Sequence, residues 1–557
     1  MATLPYFVLG PSTILSTLGL VRGADPTVPT PAEDWRHATV DVIIPALNEE
    51  EMIAPVLASL ERQTIRPRRI VLVDDGSSDR TADVALAFCA SRGMALEVIR
   101  RRKPIGKTPT IKRQALELNS DVEFILDADT VLESPNYIER TVQELYQAAG
   151  IASACGTILP LGRKHRAAWM QEVRGLIAPR ARHAPSRANT WQGKVARSIT
   201  HLGQEVGNLV LPSPSHADRQ GLHQRPGVTK AWSGAAPFQA GSASSKEGSE
   251  AQMPMPASAG DTPSSLGRWL EELARGITNL YREVLYLFVQ GFVYHGQMVF
   301  FGTTSNPVGC AVAYRRKYVQ QLFEHFTPIL GDDLTTSEDI FIGLALLDQG
   351  YRNVHLSDVY ARTVEPPVHR LPKQLYLWSS SFLQSCYYFD PLVKSPLRAA
   401  SRRIRRPRRP QAPAGASSVE AMALSSATRA DKTDGGIERR RIREPYRQAF
   451  GRERTLNWGR PAGWMLLMSA VEKIFFPTSL LIMLILRNWW GLGVTVAMET
   501  LIGILVLGLV VKGRRLELMA KGLLVAPLRY ALLTSEIFTI GRFATDVWIT
   551  KNRNWRK

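Results

Sequence analysis

Four short β-branched runs alternate with helical periods between residues 40 and 127, and polar or acidic residues follow the runs. Val40-Asp41-Val42-Ile43-Ile44-Pro45, Arg69-Ile70-Val71-Leu72-Val73-Asp74, Leu96-Glu97-Val98-Ile99 and Phe124-Ile125-Leu126-Asp127 read as buried strands. Residues 50–62, 79–92 and 107–119 carry the helices between them. Such alternation builds right-handed βαβ units and a parallel sheet. Open α/β sheets bind ligands beyond the carboxyl ends of their strands, so the chemistry is sought among the acids placed there.

The rest of the 557-residue chain is less regular. Residues 180–265, rich in Ser, Ala, Pro, Gln and Gly, read as a flexible insertion. Helical character returns at 266–290, strand-like content at 308–316 and a helix at 337–349. An Arg-rich, low-complexity block covers 396–455, and residues 398–460 supply +11 of the net charge of +19. Apolar segments flank this block, and no recognition helix or interleaved aromatics accompany it. It therefore suits an anionic membrane surface, and no nucleic-acid partner is expected.

Residues 461–486 and 488–511 are long and apolar enough to span a bilayer. Glu472-Lys473 is expected at the interface or packed within a bundle, because an intramembrane charge is costly. Residues 522–549 carry Arg529, Glu536, Arg542 and Asp546, and read as a surface helix or a shielded span. Uncharged residues 2–21 form a candidate anchor without the basic start or cleavage site of a signal peptide. The Arg-rich block and Lys512, Arg514 and Arg515 place both flanks of the central spans on the cytoplasmic side. The organisation expected is an anchor at 1–22, an α/β domain at 38–393 interrupted at 180–265, the block 396–455, and membrane helices at 461–549. Cys89, Cys155, Cys310 and Cys386 form no CxxC pair, which argues against a disulfide framework or a zinc knuckle.

Four acidic or aromatic motifs stand out. Asp74-Asp75-Gly76-Ser77 ends the second strand; Ser78 or Asp79 can cap the next helix, but capping does not account for the Asp pair. Asp127-Ala128-Asp129 ends the fourth strand, and two carboxylates so spaced can reach one hard cation such as Mg²⁺ or Mn²⁺. Ser337-Glu338-Asp339 opens a helix, where acids complement the dipole or deprotonate a hydroxyl. Gly331-Asp332-Asp333, just upstream, is a competing carboxylate pair. Gln374-Leu375-Tyr376-Leu377-Trp378 follows the turn Glu365-Pro366-Pro367 and otherwise reads as an amphipathic helix at a membrane interface.

In this order the motifs resemble the membrane-integrated family 2 glycosyltransferases, the group of cellulose, chitin, hyaluronan and poly-N-acetylglucosamine synthases. The resemblance covers roughly 38–175 and 268–393. It implies a GT-A, Rossmann-like nucleotide-sugar-binding domain with membrane helices mainly at the C-terminal end. By the same resemblance Pro45, Asn48, Glu49, Asp74, Asp75, Lys107, Asp127, Gln374 and Trp378 bind the donor. Asp75 contacts its base, and Lys107 lies near the uracil and diphosphate. Asp127 and Asp129 hold a divalent cation, Mg²⁺ or Mn²⁺. Gly309, Cys310 and Ala311 line the acceptor site, and Asp339, beside Glu338, is the general base. From Asp339 to Gln374 is 35 residues, the kind of interval the family keeps between its last two motifs. The family's QxxRW has Leu377 where the group carries an Arg that helps hold the diphosphate, and Arg370 and Lys373 are the nearby basic substitutes.

The expected activity is inverting transfer of a sugar, from a donor such as a UDP-sugar, to a growing polysaccharide at the inner membrane. The enzyme would be multi-pass with a cytoplasmic catalytic domain. Membrane lipids, a carbohydrate or lipid-linked acceptor and polysaccharide-export proteins are the candidate partners. Two alternatives stand beside it: transfer of one sugar to a lipid or polyprenyl phosphate, and a catalytically degenerate scaffold.

Overall fold

The computed structural model describes residues 10–22, 34–148, 150–177, 265–330, 337–405, 458–511 and 513–550. One eight-stranded sheet carries the N-terminal domain: β1 (Val40–Ala46), β2 (Arg69–Asp74), β3 (Glu97–Arg100), β4 (Val122–Leu126), β5 (Thr130–Leu132), β6 (Ile151–Pro160), β7 (Ala311–Arg315) and β8 (Arg352–Thr363). The strand order is β3-β2-β1-β4-β7-β6-β8-β5. β1 to β4 are parallel, as the alternating pattern predicts. β7 runs antiparallel between β4 and β6, and β5 antiparallel to β8. The sheet is thus the mixed α/β sheet of the GT-A type: β1 to β4 form the expected parallel part, and the second half adds antiparallel pairings. β5, β6 and β8 escaped the sequence reading. β6 is a continuous apolar run without alternation, which periodicity alone does not separate from a buried helix.

Helices pad both faces. Ile53–Glu61, Thr81–Arg92, Tyr137–Gln147 and Arg163–Ile177 share one core with the sheet. Lys107–Glu117, Arg316–Leu330 and Glu338–Asp348 share the other. Ala462, Met465 and Leu466 bury in this second core, so the first turns of the apolar helix Pro461–Ile485 are part of the domain's own packing. A third cluster joins Tyr281, Val284 and Leu371 to Leu507, Val525 and Leu532.

Four helices are long and apolar enough to cross a membrane by length and composition: Trp269–Phe301, Pro461–Ile485, Trp489–Val510 and Arg515–Ile549. The first was read only as helical, because Arg275, Arg282 and Glu283 interrupt it. The charges in these helices are paired. Lys473 Nζ lies 3.0 Å from Glu536, Lys521 Nζ 2.7 Å from Glu283, and Arg529 pairs with Glu499. Glu472 accepts the Ser12 N–H at 2.7 Å.

The described part of the 2–21 segment is the helix Pro11–Arg22, 12 residues long and short of a ~20-residue span. It packs on His295–Phe301 and Pro461–Ile485. Within the block expected to be low-complexity, Ser395–Arg405 is a helix, and residues 406–457 lie outside the described residues. The insertion at 180–264 and Gly331-Asp332-Asp333 also lie outside them.

Glu123 in β4 is fully buried, and neither carboxyl oxygen has a hydrogen-bond partner. Burial pushes it up to about 8, partly opposed by Arg316. A folded-state value above the ordinary 4.5 means that stability is greatest below that value and falls as pH rises towards 8. Glu123→Gln should therefore remove a slope of roughly 1.4 kcal/mol per pH unit across that window. Thermal unfolding in detergent between pH 5 and 8 checks it; parallel curves for the two proteins would refute the assignment.

Candidate active site

The acids at the strand ends converge on one ammonium. Gly106, at φ 96°, turns the chain into the helix Lys107–Glu117, a backbone conformation that favours glycine. Lys107 Nζ then lies 2.6 Å from Asp127 Oδ1 and 2.6 Å from Glu338 Oε1, and donates to the Gly309 carbonyl at 3.1 Å. Burial works against this ammonium, yet Asp127 and Glu338 outweigh it and hold Lys107 well above its ordinary value. Burial pushes Asp127 up to about 6, with Lys107 opposing the rise.

Asp129 accepts from the Thr130 and Thr363 hydroxyls at 3.2 and 3.3 Å, and its carbonyl accepts the Val364 N–H. Burial raises its pKa too, and the charge of Glu365 adds to the rise. Glu49 stands close enough to Asp129, Asp79 and Asp127 that their charges, after burial itself, push it up to about 8.

Asp339 is held from three sides. Its Oδ1 accepts from the Ser337 hydroxyl at 2.7 Å and the Ile340 N–H at 2.8 Å; among the described residues, Oδ2 takes the longer Gly309 N–H at 3.3 Å and no other. Burial pushes Asp339 up to about 6, and the charge of Glu338 adds to it. A Cβ on residue 309 would stand 2.7 Å from the Asp339 Cβ, so only glycine allows this approach.

The other expected donor residues form the rim. Pro45 lies in β1, and Asn48, at φ 58°, donates its N–H to Ser77 Oγ at 3.0 Å and accepts from the Ser78 N–H at 2.8 Å. Asp74 accepts the Ser77 N–H at 2.8 Å. Asp75 is taken up by the chain itself: it accepts the Ile105 and Gly106 N–H groups and Arg101 Nη1 at 2.7 to 3.0 Å. In this arrangement it braces the loop that delivers Lys107. Cys310 is half-buried, and its carbonyl accepts the Asp127 N–H. Ala311 is fully buried in β7, with its carbonyl taken by Tyr137 Oη.

Gln374 and Trp378 join the site through residues without a sequence signal. Arg282, fully buried, donates to Gln374 Oε1 at 2.6 Å and stacks 4.4 Å over the Trp378 ring. Its Nε is 3.5 Å from Glu365 Oε2. Arg370 and Lys373, the expected substitutes for the cation missing at Leu377, are exposed. Arg282 belongs to no motif that would announce it, and Glu365 reads as part of a Pro-rich turn. Trp378 also lines a cavity of about 280 Å³ between the apolar helices, with Tyr281, Lys473, Phe476, Arg529 and Glu536 among its walls.

Among the described residues no group of three or more His, Cys, Asp and Glu converges tightly enough to hold a metal. Asp127 and Asp129 still fit the way Mg²⁺ is held beside phosphates, by one or two carboxylates with the remaining ligands from substrate and water. Asp127 would exchange Lys107 for the cation.

Residues 41–189 match the family model described as glycosyl transferase family 2. The chain is 31% identical over 121 residues to an undecaprenyl-phosphate 4-deoxy-4-formamido-L-arabinose transferase of Serratia proteamaculans, covering 21% of this chain and 37% of that protein. It is 28% identical over 150 residues to a dolichyl-phosphate beta-glucosyltransferase of Homo sapiens, covering 24% and 45%. It thus spans less than half the length of these curated relatives. A mannosyltransferase structure from Pyrobaculum calidifontis, in complex with GDP-mannose and Mn²⁺, aligns over 98% of both chains at 11% identity and a TM-score of 0.42.

Lys107→Met leaves Asp127 and Glu338 without their cation. The variant's carboxyls then take up protons in the folded state, so stability is lost as pH rises through their raised values. The expected deficit is roughly 1–3 kcal/mol at pH 8, shrinking below about pH 6, after allowing for the partial exposure of the pair. Thermal unfolding of both proteins at pH 5 and pH 8 measures it; an equal deficit at both would contradict the arrangement.

Proposed function

We propose that this chain, which carries a family 2 glycosyltransferase domain, is a membrane-bound, inverting enzyme that moves one sugar from a nucleotide donor to a lipid-linked acceptor. The observation that carries the reading is the convergence of Lys107, Asp127, Asp129, Glu338 and Asp339 beyond the strand ends. The acceptor follows from two supports. The names of the two relatives specify undecaprenyl-phosphate and dolichyl-phosphate substrates. The cavity behind Trp378 lies among helices apolar enough for a bilayer, where a lipid acceptor would arrive. The inner membrane, with this domain on the cytoplasmic side, suits the basic flanks of the central apolar helices.

Asp339 acts as the general base towards an acceptor that still carries a proton, a hydroxyl or the singly protonated phosphate of a lipid. Its Oδ2, with one long partner, is the oxygen free to take the acceptor's proton. As that proton leaves, the acceptor oxygen bonds to the anomeric carbon and the bond to the diphosphate breaks, inverting the centre in one displacement. A pKa lifted by burial strengthens the base. Lys107 moves from Asp127 to the diphosphate and offsets its charge. A divalent cation, when held by Asp127 and Asp129, supplies the further charge neutralisation that a departing diphosphate needs.

A second reading, extension of a polysaccharide, is favoured by one observation. Trp378, which with Gln374 matches the last motif of the polymer synthases, lines a cavity between the apolar helices.

The test is a screen of UDP-sugars for UDP release by membranes with Mg²⁺ or Mn²⁺, with a polyprenyl phosphate supplied and the products sized by mass spectrometry. One added sugar supports the first reading, and a ladder supports the second. Asp339→Asn should lower turnover by about 10²–10⁴-fold. The base works deprotonated, so the wild-type rate should fall about tenfold per pH unit below about 6. Wild-type turnover in Asp339→Asn, or a flat profile down to pH 4.5, would remove Asp339 from this role.

A further inference from the structure

Arg282 lies on the helix Ser265–Phe288, far in sequence from every motif of the site, and its side chain is completely buried. Its guanidinium meets two separate pieces of the chain, the helix Leu371–Tyr388 and the segment at Glu365. Nη2 donates to Gln374, the carbon centre stacks on Trp378, and Nε faces Glu365 at 3.5 Å. Tyr281 and Tyr286 flank it at 5.8 and 5.6 Å. Among the described residues, Nε and Nη1 have no hydrogen-bond partner, and neither does Glu365 Oε1.

A buried guanidinium with unused donors is a poor packing element, since each unmet donor is penalised by desolvation. Its geometry suits something else. A planar fork can stack on an indole and hydrogen-bond in its own plane at once, which a Lys ammonium cannot do. Glu365 extends the segment whose Thr363 and Val364 bond Asp129. Arg282 therefore ties that segment to the helix carrying Gln374 and Trp378. Leu377, between those two residues, offers no charge.

We infer that Arg282 is a positioning residue for the donor site. From a different helix it sets Gln374 and Trp378 against the Asp129 segment, supplying the cation that residue 377 does not. The inference rests on the glycosyltransferase reading. It names the residue by which this chain completes its last motif.

The test uses full-length protein in detergent, with UDP and Mn²⁺ as the probe. Arg282→Met is combined with Glu365→Gln, so that no buried charge is left uncompensated. The double variant should keep the wild-type thermal midpoint within a few degrees. It should bind UDP–Mn²⁺ at least tenfold more weakly, and show a higher donor KM with a smaller change in kcat. Adding Leu377→Arg should restore most of the affinity. Binding in the wild type with unchanged affinity in the double variant overturns the role of Arg282 alone. No UDP binding by the wild type overturns the donor reading, and this inference with it. If the double variant unfolds, Leu377→Arg on the otherwise wild-type chain decides. A second cation beside a guanidinium already in place should weaken UDP binding or leave it unchanged, and a tenfold gain would mean the position had been unserved.

Discussion

The ammonium of Lys107, shared between Asp127 and Glu338, is the interaction on which the site depends. Two carboxylates about 4 Å apart repel by roughly 4 kcal/mol at an effective dielectric of ~20. Here Asp127 and Asp129 come from the turn after β4, and Glu338 and Asp339 from the first turn of the helix Glu338–Asp348, so their charges oppose one another unless a cation stands among them. Lys107 provides one, and several local features serve its placement. Asp75 braces the preceding loop, Gly106 makes the turn, and the Gly309 carbonyl receives the third bond. Under the proposed function, an incoming diphosphate would offer Lys107 a new partner and leave Asp127 open to a cation.

The same arrangement links the sheet to the apolar helices. Glu338 and Asp339 open a helix buried in the core that also takes up Ala462, Met465 and Leu466 from the first turns of Pro461–Ile485. On the other side, Arg282 and Trp378 stand between the Asp129 segment and the cavity in the helix bundle. The helix that carries Glu338 and Asp339 and the first turns of Pro461–Ile485 are therefore packed in one core.

Much of this was legible in the sequence. β1 to β4 were visible because β-branched runs of four to six residues alternate with helical spacing, and the Asp127-Ala128-Asp129 triplet falls just past one of them. Asp339 was visible from its place at a helix start after the strand-like segment 308–316. The mixed half of the sheet was not legible, because β6 is apolar on both faces and β8 pairs with distant partners. Arg282 and Glu365 could not be found by motif. Their roles arise only when residues about 90 positions apart are packed together. Asp75 shows the converse: its motif points to a ligand, while its hydrogen bonds go to the neighbouring loop.

The measurement that bears most directly on the central cluster is Mn²⁺ binding, followed by electron paramagnetic resonance, with and without UDP. With Lys107 occupying Asp127 and no three carboxylates among the described residues gathered tightly enough to hold a metal, Mn²⁺ should bind weakly alone. It should bind at least tenfold more tightly once UDP is present, and lose that gain in Asp129→Asn. Tight Mn²⁺ binding without nucleotide, or an unchanged gain in Asp129→Asn, would contradict a site in which Lys107 holds the cation's place until the diphosphate arrives.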